Sequence, residues 1–257
     1  MPHRRSTDSR STGVDACPGG WVAVTLSGTG TGAGIGTGTG ARAGTGAGTG
    51  ARAGDAGESP AVTVTVARTL DGLALDGVTG IDMPLGLLAA GWRTADLLAR
   101  RALGRRGSCV FAIPPRPVWE QPAYANANQS CRELTGRGMS VQAWGLRRKL
   151  LEADEFRRAA AAPPLYEVHP ELSFAALAGG APLADSKHTP SGLAIRRALL
   201  AEAGIALPSR VPGAAEDDLL DAAAVAWSAG RVAAGAAVTL SDPDQRADDG
   251  REIAIRY

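Results

Sequence analysis

Residues 11–26, STGVDACPGGWVAVTL, decide the reading of this chain. Two apolar, β-branched runs flank Pro18, Gly19 and Gly20, the punctuation of a tight turn between antiparallel strands. Further along, AVTVTVA at 61–67 alternates as a half-buried strand does and supplies a third strand of the same meander. Between them, residues 27–58 are a glycine-rich, low-complexity tract with almost no large apolar side chain to offset the entropy of ordering it. It reads as a loop insertion between strands two and three, and lengthening such a loop costs little stability.

Working outward, GVTGIDMPLGLL at 77–88 predicts a fourth strand that ends at Asp82, where Met83, Pro84 and Gly86 force the chain out of the sheet. Thr94 is placed to cap a helix running to Leu103, and Ser140 a longer one through about Ala161. PLYEVHPEL at 164–172 reads as a strand that stops at the His169–Pro170 step. Helices follow from Thr189 to about Ala203 and from Glu216 to about Ala234, and REIAIRY at 251–257 closes the chain as a short strand. The pattern predicts an α/β fold: a mixed sheet, made of a three-strand antiparallel meander plus parallel strands, flanked by helices. Residues 1–11 are expected to be a disordered N-terminus, 12–257 one domain, and 91–160 a basic helical insertion within it.

Composition narrows the class of function. Hydrophobic residues are 44% and charged residues 21% of the 257, as in ordinary globular chains, so a full core is affordable. The polar start MPHRRSTDSR is followed by no apolar targeting core, and no apolar run is long enough for a membrane span; the expected address is the cytoplasm, with no membrane partner. Cys17, Cys109 and Cys131 lack the paired spacing of a zinc or redox site and read as free thiols. A net charge of +1 hides an asymmetry: residues 91–160 hold 13 Arg and Lys against 6 Asp and Glu, whereas residues 211–257 hold 4 against 9. A basic stretch beside an acidic site suits a polyanionic partner, nucleic acid or a phosphorylated substrate; the same count also describes solvated arginine-rich helix faces.

The carboxylates carry the chemistry. Asp15 lies in a run otherwise built of Val, Ala and Gly, where a buried charge needs a metal, a cation or backbone donors around it. Asp82 repeats the situation at the end of an apolar strand, where open α/β sheets gather their sites. Asp218 and Asp221 lie three apart on a helix and so project from one face, close enough to share a cation, although acids at a helix start are also favoured by its dipole. Glu167, in EVHPE, is a fifth candidate, while His169 beside it reads as a core histidine or a ligand. Hard oxygen donors of this kind suit Mg²⁺ or Mn²⁺. Arg106 and Arg116 are candidate phosphate clamps by charge. Tyr124, Gln142 and Trp144 are candidates for a base-stacking or substrate surface, with core packing as the other use of the aromatics.

The ordered set VDACPGGW, GIDMPLGL, GSCVFAIPPR, MSVQAW, EVHPELSF, SKHTPSGL and DDLLDAAAVAW resembles the domain-of-unknown-function 429 family, bacterial and archaeal proteins described as predicted RNase H-like nucleases, from about Gly13 to Tyr257. The spacing in DLLDA is similar to the final helix of Holliday-junction resolvases, which share that fold. The resemblance implies an RNase H-like sheet with one carboxylate from the first strand, Asp15, one from the fourth, Asp82, and a pair from the last helix, Asp218 and Asp221. The expected function is then metal-dependent hydrolysis of phosphodiesters at a two-cation carboxylate site. Two other readings use the same fold class: a protein that binds nucleic acid or nucleotide without cutting it, and a phosphoryl-transfer enzyme of actin-like fold.

Overall fold

The structure, a computed structural model, describes residues 9–28, 59–159 and 163–257. Seven strands form one sheet: β1 (Ser9–Cys17), β2 (Gly20–Gly28), β3 (Ala61–Ala67), β4 (Val78–Ile81), β5 (Leu165–Val168), β6 (Thr239–Arg246) and β7 (Glu252–Arg256). Their spatial order is β3-β2-β1-β4-β5-β7-β6. The pairs β1/β2, β2/β3 and β6/β7 are antiparallel, whereas β1/β4, β4/β5 and β5/β7 are parallel. The sheet is therefore mixed, as predicted, with the meander at one edge. β6 is an addition: TLSDPDQR is polar, carries Pro243 and alternates poorly, which suits an edge strand and hides it from pattern reading. At the start, residues 9–11 pair with β2 instead of lying in a disordered arm, and Ser27 and Gly28 complete β2; the rest of the N-terminal and glycine-rich segments lies outside the described residues.

Eight helices accompany the described sheet: α1 (Thr94–Ala102), α2 (Arg116–Trp119), α3 (Tyr124–Thr135), α4 (Val141–Gly145), α5 (Arg147–Arg158), α6 (Pro170–Leu177), α7 (Pro190–Glu202) and α8 (Glu216–Ala233). Among them, none is long and apolar enough to cross a membrane. Ser140 caps as expected, its Oγ accepting from the Ala143 N–H at 3.1 Å, but the helix it starts stops after one turn and restarts at Arg147. Thr189 caps α7 by accepting from the Gly192 N–H at 3.1 Å. Thr94 is not a cap: it is the first residue of α1, and Arg93 precedes it.

Strand alternation separates the two faces. Val14, Trp21, Ala23 and Ile81 point to one face and pack with Trp119, Cys131, Ala143 and Leu150 of α2–α5. There α5 is tied to β2, since Trp21 Nε1 donates to Glu152 at 2.8 Å and Lys149 Nζ lies 4.3 Å from the Trp21 ring centre. On the other face Val22, Val24 and Cys17 meet α6, α7 and the alanine-lined side of α8, where Ala222, Ala223, Ala224 and Ala226 are fully buried. The odd-numbered residues of β1 belong to this second face. A Cβ on Gly13 would lie 2.1 Å from Ala222 O and from Ala226 N, so the helix backbone rests on the strand itself. That contact fixes where Asp221, one residue before Ala222, stands relative to Asp15.

Candidate metal centre

Three of the predicted carboxylates converge. Asp15 is at the end of β1, and its Oδ1 accepts from the Ala16 N–H at 2.7 Å. Asp82 follows β4 directly, and its N–H donates to Val14 O at 2.8 Å, which carries the parallel ladder one residue past the strand. Asp221 comes from the second turn of α8. One oxygen from each lies within 4.8 Å of the others, a spacing at which a single cation can touch all three.

Crowding these groups together has the electrostatic effect expected. Burial pushes all three carboxyl groups upward: Asp15 well above the ordinary range, with Asp82 and Asp221 adding to the shift, Asp82 to about 7 and Asp221 to about 6. Among the described residues, the side chain that resists this is Lys187, from the turn before α7. Its ammonium is bonded to Asp221 Oδ2 and also faces Asp15 and Asp82. Burial would lower the Lys187 pKa, but the attraction of Asp221, Asp15 and Asp82 raises it above its usual value. Asp221 Oδ1, by contrast, is buried with no hydrogen-bond partner among the described residues. A buried carboxylate oxygen left bare is expensive, and a cation is what would relieve it.

Asp218 is not part of this group. It reaches back to accept from the Ala215 N–H at 3.0 Å, so it caps the start of α8, one turn before Asp221. Glu167 is also corrected. Its neighbour Val168 faces Gly80 and α8, so Glu167 points to the opposite face, where the fully buried Arg93 donates to both of its oxygens at 2.6 and 2.7 Å and Leu85 N–H donates at 2.7 Å. Its charge is already matched. His169 precedes α6, with Nδ1 buried and unpartnered among the described residues; burial lowers its pKa against the pull of Glu171 and Asp221.

The predicted substrate contacts fare differently. Arg106 is half-buried and pairs with Glu171 at 3.6 Å, next to the carboxylate cluster. Arg116 is committed elsewhere, bonded to Asp154 at 2.6 Å and to Asp248, a network that Arg158 joins. Gln142 is exposed on α4, on the sheet face away from the three aspartates. Trp144 stacks on Trp119 with centroids 6.4 Å apart and Tyr124 Oη donates to Met139 O, so both aromatics serve packing instead of a base platform. Within 91–160, Arg93, Arg106, Arg116, Arg157 and Arg158 are paired with carboxylates, and of these Arg93 and Arg157 are buried. Cys17, Cys109 and Cys131 are free thiols.

A family model described as protein of unknown function, DUF429, matches residues 13–246. The chain belongs to that family. No curated protein and no solved structure is significantly similar to this DUF429 member. Lys187 was missed as a site residue although SKHTP is among the motifs that carry the family likeness, because nothing local in that turn announces a partner 34 residues away.

Proposed function

We propose that this chain is a metal-dependent phosphodiester hydrolase of RNase H-like fold, with Asp15, Asp82 and Asp221 holding Mg²⁺ or Mn²⁺. The observation that carries the reading is the convergence of three carboxylates from separate elements to within 4.8 Å, with Asp221 Oδ1 buried and without a hydrogen-bond partner among the described residues. An all-oxygen donor set with net negative charge fits a hard divalent cation and not zinc. Three of the four carboxylates that the RNase H-like resemblance implies stand in this group, those at the ends of the first and fourth strands and Asp221 of the last long helix, while the fourth, Asp218, caps that helix.

When bound, such ions supply polarisation of a phosphate and activation of a water for in-line displacement. The chain's own residues do the rest. Asp15 is oriented by the Ala16 N–H, and Asp221 is held in place by the close seat of α8 on β1. Arg106, partly exposed and paired with Glu171, is the side chain this reading assigns to a substrate phosphate.

The test is cleavage of a panel of single-stranded, duplex and branched DNA and RNA with Mn²⁺, run beside Asp15→Asn and Asp82→Asn. Activity in the parent protein that both variants lose supports the reading. Equal cleavage by the variants, or none by any of them together with no Mn²⁺ binding in calorimetry, removes it.

A further inference from the structure

Three carboxylates and one ammonium meet at this site, and the ammonium belongs to a turn that is itself fixed. Arg196, fully buried, donates to Asp185 O at 3.1 Å and to Glu171 Oε1 at 2.6 Å, while Thr189 donates to Ser186 O through both its N–H and its Oγ1. The backbone is thus tied down on both sides of Lys187. Its side chain is the adjustable part: about 29% exposed, it reaches from a rigid anchor into the cluster and ends on Asp221, which is 2% exposed.

We infer that Lys187 is the built-in occupant of the cation site: its ammonium holds Asp15, Asp82 and Asp221 together when no divalent ion is bound, and competes with that ion for Asp221. The inference rests on the metal-binding reading and adds to it a self-limiting affinity. Without the lysine the metal-free cluster would carry three unmatched carboxyl groups in a confined space, a penalty that grows as they ionise. With it, an incoming ion must displace an existing ion pair, and only the four-carbon stem has to move. Because the anchor stays, the released ammonium remains at the mouth of the site.

Calorimetric titration of Mn²⁺ into the parent protein, Lys187→Met and Lys187→Arg, with thermal unfolding of each in EDTA, tests this. Lys187→Met is expected to bind Mn²⁺ about tenfold more tightly, within the usual range for coupling between two ligands. Its metal-free form should melt at a lower temperature and recover with saturating Mn²⁺, and Lys187→Arg should keep the parent affinity because it keeps the charge. If Lys187→Met does not fold, Lys187→Gln makes the same comparison. Equal or weaker Mn²⁺ binding by the neutral variant, with binding intact in the parent, overturns the competition and leaves the metal reading standing. Failure of the parent and both variants to bind Mn²⁺ overturns both.

Discussion

Gly13 and Gly80 are partners in the parallel register of β1 and β4, and α8 lies against both. A Cβ on Gly80 would come within 2.9 Å of Val225 Cγ1, and one on Gly13 within 2.1 Å of two backbone atoms of α8. This pair of side-chain-free positions makes a trough for the alanine-lined helix. The depth of that trough is what brings Asp221 down to Asp15 and Asp82.

Gly13→Ala should therefore damage both stability and site. The clash is with backbone and cannot be relieved by a rotamer change, so a loss of about 3 kcal/mol or more is expected in urea unfolding. In whatever fraction folds, Mn²⁺ affinity should fall because the helix must rise off the strand. Gly145→Ala is the control: its Cβ would meet nothing within 4 Å, and on a helix it should be neutral or stabilising by about 0.5–1 kcal/mol. Equal effects of the two substitutions would refute the trough argument.

Asp218 and Asp221 should separate cleanly. Asp218→Asn keeps an oxygen able to accept from Ala215 N–H, so stability should change by less than about 1 kcal/mol and Mn²⁺ affinity little. Asp221→Asn removes a charge from the centre of the cluster and strands Lys187, and Mn²⁺ binding should be lost. Calorimetry on the two single variants decides; loss of binding in Asp218→Asn would return that residue to the ligand set.

Glu167→Gln should be costly for folding and nearly silent for metal. It leaves the fully buried Arg93 with Asp96, at 3.2 Å, as its only remaining carboxylate partner among the described residues, and breaking a buried pair of this kind costs about 3 kcal/mol. The measurement is a pair of numbers, the urea midpoint and the Mn²⁺ dissociation constant. A variant that folds as well as the parent but no longer binds Mn²⁺ would make Glu167 a ligand after all.

What could be read beforehand follows from the range of each signal. Asp15 and Asp82 were legible because a charge interrupting an apolar strand is a local anomaly, visible within five residues. The helical spacing of Asp218 and Asp221 gave their shared face but not which one enters the cluster, since that depends on how deeply α8 sits on Gly13 and Gly80, a tertiary fact. Glu167 was misassigned for a related reason: its partner Arg93 is 74 residues away, and the sheet face it takes is set by pairing with β4 and β7. α3 has no bounds legible within the expected helical insertion because YANANQSCRELT buries only Ala127 and Cys131 and is preceded by Ala123, which has no capping side chain. Lys187 was silent because an exposed-looking lysine in a polar turn is ordinary until the fold brings three carboxylates to it.

The raised carboxyl groups give the metal-free protein a pH dependence of definite sign. An unfolded aspartate titrates near 3.8, whereas Asp82 in the fold titrates near 7 and Asp221 near 6. Between about pH 4 and about pH 7 the folded state thus holds more protons at these positions than the unfolded state, and stability falls as pH rises through that window. Lys187 stays charged throughout it and adds no slope of its own. Relative to Asp82→Asn, which lacks one of the titrating groups, the parent protein in EDTA should lose melting temperature as pH goes from 4.5 to about 7.5. Mn²⁺ should reverse the trend, because a cation held by these groups would bind only their deprotonated form and compete with the same protons. The melting-temperature gain on adding Mn²⁺ should be small near pH 5 and grow toward about pH 8. A gain independent of pH would mean that the ion, if bound, is held by groups other than Asp82 and Asp221.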